Sequence, residues 1–264
     1  MTPEIRPTWI RLRQIALVAH DLGAVTADLQ AVLGLGAPYP DPGVASFGLQ
    51  NGVFPSGHQF VEVVAPIRAD TTGGRYLERR KGDGGYMVIL QCDDHAPVKA
   101  RVDAAHVRKV LEHDTHHYKI MQLHPRDTGG SFLEIDVQVG GESMDGPWEP
   151  AGPRWQENRT AQVLAITGAE IQGDDPDALA AKWSSVIGIP VVSGASGAPT
   201  IELENATLRF VPVVDGRGEG LGGIDLHVSS VADVTAAAAE RGLLGDDGGI
   251  RICGMRIAVH GLRA

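Results

Sequence analysis

A short unit that occurs twice constrains this chain more than any other feature. In its first occurrence an apolar strand, Arg13-Gln14-Ile15-Ala16-Leu17-Val18-Ala19-His20, runs into Asp21, and apolar residues then recur at Leu22, Val25, Leu29, Val32 and Leu33 before Gly34. Asp caps a helix N-terminus because its carboxylate accepts from backbone N–H groups that have no partner inside the helix. The apolar spacing is that of a helix with one buried face, and a glycine ends such a helix by taking the left-handed conformation. In the second occurrence Asp175-Pro176-Asp177-Ala178 opens thirteen residues before Gly188, as Asp21-Leu22-Gly23-Ala24 opens thirteen before Gly34. The same offset carries Leu49-Gln50-Asn51 onto Leu203-Glu204-Asn205. A repeat at this scale dictates the architecture and is read before any motif.

The segments around the repeat are short strand candidates separated by glycine and proline turns. Val44–Leu49, Gly52–Phe54 and Phe60–Val64 follow the first helix. A second module reads as strand Tyr86–Cys92, a helix and the start of a strand within Ala96–Val110, and strands Tyr118–Leu123 and Ser131–Val137. A last module runs through Ile224–Val228, the helix Val231–Arg241, and strands near Ile250–Ile252 and Met255–His260. The expected fold is α+β, with four βαβββ modules in two pairs forming cupped mixed sheets. Residues 10–139 make one two-module domain, and residues 161–264 a second, degenerate copy. Residues 140–160, rich in Gly, Pro, Glu and Trp, read as a linker that packs through Trp148 and Trp155.

Composition excludes several partners. The 264 residues carry a formal charge of −10, which repels nucleic acid and anionic membranes. Cys92 and Cys253 are far apart in sequence, so neither a disulfide framework nor a thiolate zinc site is expected. Residues 1–13 show no apolar signal segment, and no apolar run approaches bilayer length. The expectation is a cytoplasmic monomer or homodimer that meets a small molecule.

The stretch Gln14–Gly34, together with the turn His124-Pro125-Arg126-Asp127-Thr128-Gly129-Gly130 leading into Phe132-Leu133-Glu134-Ile135, resembles the vicinal oxygen chelate superfamily, above all its glyoxalase and methylmalonyl-CoA epimerase-like branch. The resemblance covers residues 10–139 well and the rest only as a degenerate copy. It implies a cup in which four inward positions hold a divalent metal; position by position these are Gln14, Glu62, Met87 and Glu134. Met87 departs from the pattern, which has His there, because a thioether is a poor ligand for hard cations. The implied metal set is therefore Gln14, Glu62 and Glu134, taking Zn, Ni, Fe or Mn, or else the cup binds no cofactor. His58, four residues before Glu62, and His124, at the start of the HPRDTGG turn, are the residues available to complete a site.

The residues themselves point the same way. Glu62 and Glu134 each sit inside an apolar run, where a carboxylate is costly unless paired or bound to a cation. Arg75-Tyr76-Leu77-Glu78-Arg79-Arg80-Lys81 concentrates cations in an acidic chain. Arg75 and Arg79 could fix an anion at the rim of the cup, or could belong to a solvated helix. The expected function is a glyoxalase-like isomerase or lyase acting on a small anionic carbonyl or carboxylate compound, with Glu134, Glu62 and His124 carrying protons. Arg75, Arg79, Met87 and His58 would contact the substrate. The alternative is a non-catalytic small-molecule binder of the bleomycin-resistance kind.

Overall fold

Both strand–cap–helix units are present in the computed structural model of the protein, which describes residues 9–261. The Asp21 carboxylate accepts from the Ala24 amide at the start of α1 (Leu22–Leu33), and Gly34 closes that helix at φ 59. Asp175 accepts from Ala178 at the start of α4 (Pro176–Ile187), and Gly188 closes it at φ 83. The two caps and stops are the same device used twice.

The first half folds as β1 (Ile10–Val18), α1, β2 (Leu49–Ser56) and β3 (Gln59–Pro66), then α2 (Thr72–Arg80), β4 (Gly84–Cys92), α3 (His95–Ala104), β5 (Lys109–Asp114), β6 (Tyr118–Leu123) and β7 (Phe132–Gln138). Its seven strands form one mixed sheet in the order β2-β3-β1-β4-β7-β6-β5. The second half supplies β8 (Val163–Gly173), α4, β9 (Val191–Ser193), β10 (Pro199–Glu202), β11 (Thr207–Pro212), β12 (Gly220–Val228), α5 (Val231–Glu240), β13 (Ile250–Ile252) and β14 (Met255–His260). These seven strands order as β13-β14-β12-β8-β11-β10-β9. In each sheet the opening strands of two modules lie antiparallel at the centre, β1 on β4 and β8 on β12, each with its module's last strand parallel on its other side.

Two sequence expectations change. Val44–Leu49 is not a strand: Pro42–Phe47 is a 3₁₀ helix whose N-cap, Asp41, accepts from Gly43. Proline at the start and the Asp cap favour that turn over an extended run. The outermost strand of the first module shrinks to a bridge between Tyr39 and Val53, and that of the fourth to one between Leu244 and Ile250. Nor are Leu49–Asn51 and Leu203–Asn205 equivalent. The first opens β2, whereas the second turns the chain between β10 and β11. Strand register shows why: Gln14 pairs with Phe60, but its counterpart Gly168 pairs with Thr207, so the second half is shorter before its last strand.

A continuous core joins the helix-covered faces of both sheets. Leu12, Ile15 and Leu17 of β1 and Leu29 and Val32 of α1 share it with Ile166 and Ile171 of β8, Trp183 of α4 and Leu226 of β12. Each such side chain contributes about 1.5–3 kcal/mol by leaving water.

The halves also interlock through their backbones. Gln59 donates to the Ile166 carbonyl and accepts from the Ile166 amide. In the mirror arrangement Asn205 accepts from the Leu12 amide and donates to its carbonyl. The turn before Gln59 comes so close that a Cβ on Gly57, at φ +68, would lie 1.9 Å from the Leu164 carbonyl oxygen; only glycine fits there. At the other end Arg80, buried, donates to the carbonyls of Arg217, Gly218 and Glu219, while Arg217 donates back to Arg80, Gly82, Asp83 and Gly254. Among the described residues no helix is long and apolar enough to cross a membrane.

Candidate functional site

The face of the first sheet turned away from that core is the cup. A register shift between Leu12 and Gln14 on β1 puts two consecutive side chains, Arg13 and Gln14, on the cup side while Leu12 and Ile15 stay in the core. Beyond it Glu62 of β3, Met87 of β4, Gln122 of β6 and Glu134 of β7 face inward.

Two amide–carboxyl groups form the centre. Glu62 takes one hydrogen bond on each oxygen, from Gln14 Nε2 at 2.8 Å and from Asn51 Nδ2 at 2.6 Å. Glu134 accepts from Gln122 Nε2 at 2.8 Å, and the same amide nitrogen lies 3.4 Å from Met87 Sδ. Both carboxyls are nearly enclosed, at 7% and 8% exposure. Burial pushes Glu62 up from 4.5 to about 7; the Asn51 amide opposes the rise, and the charges of Glu134 and Asp41 add to it. Burial also raises Glu134, against the Gln122 amide that favours its charged form. Behind it Asp136, fully buried, accepts from the Tyr118 hydroxyl, and burial and the Glu134 charge push its carboxyl well above the usual range. The cup thus contains one carboxyl, Glu62, that titrates near neutral pH, beside others shifted in the same direction; a group that titrates there can donate or accept a proton.

The cup is closed at both ends by aromatic groups. From the linker Trp148 and Trp155 pack with Val53, Phe60, Ile89 and Tyr118. Arg13 runs between the Phe60, Trp148 and Trp155 rings, 5.1, 5.4 and 5.7 Å from their centroids, and donates to the carbonyls of His58 and Met144. Burial, with the neighbouring Arg11 charge, lowers Arg13 to about 9. Arg11 in turn holds the linker carbonyls of Gly141 and Glu142. At the other end α2 lays Tyr76 and Leu77 onto Tyr86 and Phe132. Met87 touches both aromatic groups.

Of the residues expected from sequence, Gln14, Glu62, Met87 and Glu134 share the cup. His58 does not: it lies in the turn between β2 and β3, with Nδ1 3.0 Å from Asp145 on the surface. Continuing the strand to reach Glu62's face fails because Gly57 and His58 turn the chain. His124, half-buried, sits past the end of β6, and its Nδ1 accepts from the Arg126 amide. Arg75 turns back onto the Asp70 carbonyl and the Thr72 hydroxyl. Arg79 is exposed at the rim, stacked 4.9 Å from the Tyr76 ring centroid. The spacing did not single out Asn51, Gln122, Asp136 or Tyr118. For the first three the signal was available: amide and acidic side chains within apolar strands, on the cup-facing side of their strands.

The donor set does not suit a metal held by Gln14, Glu62 and Glu134. Gln14 Oε1 accepts from Trp148 Nε1 at 2.7 Å, so the amide turns its nitrogen, not its oxygen, toward Glu62. Both Glu62 oxygens are already engaged, and Met87 and Gln122 Nε2 lie beside Glu134. Among the described residues no three His, Cys, Asp or Glu side chains are grouped to hold a metal ion. The second sheet repeats the geometry with different chemistry. Gly168 takes the place of Gln14, and by register Arg209 takes that of Glu62. Arg209 pairs with Asp225 and Glu170, and Arg256 with Glu170 and Asp215, so both cations there are taken up by carboxylates.

Comparison with solved structures settles the architecture. A mutant of 4-hydroxymandelate synthase from Streptomyces coelicolor superposes with a TM-score of 0.70 at 15% identity, over 90% of this chain and 76% of that one. The chain has the vicinal oxygen chelate fold. A hypothetical protein from Staphylococcus aureus matches at a TM-score of 0.64 and 14% identity, covering 96% of this chain and all of its own. Methylmalonyl-CoA epimerase from Mycobacterium tuberculosis aligns with 48% of this chain, 87% of its own length, at 19% identity and a TM-score of 0.43. No family model and no curated protein matches the sequence. The chain therefore shares its fold with the first two of these structures, and its chemistry is argued from its own cup.

Proposed function

We propose that the chain is an enzyme that moves a proton on a small anionic carbonyl or carboxylate compound, an isomerase- or lyase-type reaction run by side chains without a metal. In this reading residues 10–139 do the work and residues 161–264 buttress them. Glu62 carries the reading: an enclosed carboxyl held at about 7 by burial, with two amides fixing its orientation. A base with its pKa near ambient pH combines a usable fraction of the charged form with real basicity. Glu134, on the opposite wall, serves as the second proton-carrying group. The amides of Asn51, Gln14 and Gln122 supply donors that can favour an enolate-like oxygen. Arg79 supplies positive charge at the rim for a substrate carboxylate, while His124, whose charged form is disfavoured by burial and by the Arg108 charge, offers a ring N–H.

The test is deuterium uptake. A panel of 2-oxo and 2-methyl carboxylic acids is incubated with the protein in D2O, and loss of the C–H signal is followed by proton NMR. At least one compound should exchange with the unaltered protein, and Glu62→Gln and Glu134→Gln should each slow it by about a hundredfold or more. Met87, a polarizable thioether between two aromatic groups, favours a second reading, a binder without chemistry. Saturable binding of these acids with no exchange by any of them would replace the enzyme reading with that one.

A further inference from the structure

The linker does more than fill the cup. The indole of Trp148 is 1% exposed, lies parallel to Phe60 at 6.3 Å between centroids, and meets Tyr118 edge-on at 5.5 Å. It is therefore held by rings on two strands. Its Nε1–H can only donate, so the Gln14 atom 2.7 Å away must be the amide oxygen. Glu62 Oε2, 2.8 Å from the other end of the same amide, requires a donor there once it is charged. Two neighbours of opposite character thus impose the same orientation, and the usual ambiguity between amide oxygen and nitrogen disappears.

We propose that Trp148 is a positioning residue that sets the chemical character of the cup: by claiming the Gln14 oxygen it aims an N–H donor at Glu62 and keeps the cup from assembling an oxygen-ligand site for a divalent cation. Without the indole N–H, only the Glu62 carboxylate still holds the donor end of the amide in place, and a divalent cation that takes up that carboxylate removes its demand for a donor and lets Gln14 turn over. Its oxygen then joins the Glu62 and Glu134 carboxylates, three oxygen donors of the kind hard divalent cations take. The inference goes beyond the proton-transfer reading, and because cation uptake is read without substrate, either can fail alone.

The experiment is Mn2+ binding at pH 7.5, read by loss of the free-ion EPR signal, on the full chain. Trp148→Phe keeps an aromatic ring in the stack while removing the N–H together with the second ring of the indole. Its affinity for Mn2+ should exceed that of the unaltered protein by at least tenfold, and adding Gln14→Leu should remove the gain. Equal affinity in the unaltered protein and Trp148→Phe overturns the proposal, as does a folded Trp148→Phe that takes up no Mn2+ or a gain that survives Gln14→Leu. Should Trp148→Phe lose its cooperative melt, Gln14→Glu decides. That change leaves the linker intact and replaces the donor end of the amide with oxygen, so Mn2+ uptake lost again on Glu134→Gln supports the proposal, and absence of uptake overturns it.

Discussion

Glu62 keeps its proton to about pH 7 because burial outweighs the two amides that favour its charge. The consequence for stability has a definite sign. Unfolded, the carboxyl ionises near 4.5; folded, near 7. Between those values the native state binds the extra proton, so stability present at low pH is lost as pH rises through the window, by about 3 kcal/mol in total. Glu134 and Asp136, also raised, add in the same direction. His95 and His124, both lowered, act in the opposite sense, so the comparison that isolates Glu62 is with Glu62→Gln. Urea melts of the two proteins at pH 5 and pH 8 should show the unaltered protein losing roughly 2–3 kcal/mol more than the variant on going to the higher pH. Parallel behaviour would mean that water reaches the carboxyl freely. At this scale the sequence was informative about Glu62 and Glu134, because a carboxylate within an apolar run demands an explanation. It was silent about Trp148 and Gln14, because no local pattern shows that a linker indole will meet an amide on the first strand.

Among the elements, the cup is defined as much by what plugs it as by its walls. Arg80 was one cation among several in a helix, and charge alone favoured Arg75 and Arg79 as the functional ones. The fold reverses that ranking. Arg75 closes on its own helix start, while Arg80 is drawn inside to hold three carbonyls of the other half at 2.9, 2.6 and 2.6 Å. Sequence could not separate them, since the distinction depends on a loop 137 or more residues away. Arg80→Met keeps much of the stem and removes the donor from three part-buried carbonyls; it should cost about 1–2 kcal/mol by urea melt. A cost below roughly 0.5 kcal/mol would mean that water takes over those carbonyls. The 3₁₀ helix at Pro42–Phe47 shows the same limit from another side. Its apolar residues read as a strand, but the Asp41 cap and proline decide the backbone locally.

For the molecule as a whole, the repeat made the architecture legible. Asp21 with Gly34 and Asp175 with Gly188 mark two helices that do occupy equivalent places. The Leu49–Asn51 and Leu203–Asn205 match was a coincidence of offset. What the repeat could not convey is that duplication kept the scaffold and changed the chemistry. One cup carries enclosed carboxyls with amide donors, and the other carries Arg209 and Arg256 neutralised by Glu170, Asp225 and Asp215. Reciprocal locks, Gln59 on Ile166 and Asn205 on Leu12, join the two, so the second half backs the first cup. The central claim is that this cup transfers protons through Glu62. Its most direct test is the pH dependence of deuterium exchange for whichever acid exchanges, compared between the unaltered protein and Glu62→Gln. The rate should rise through an inflection near pH 7 in the unaltered protein, and the inflection should vanish, with the residual rate low and flat, in Glu62→Gln. An exchange rate flat from pH 5 to 9, or an inflection near 7 that persists in Glu62→Gln, would contradict the account.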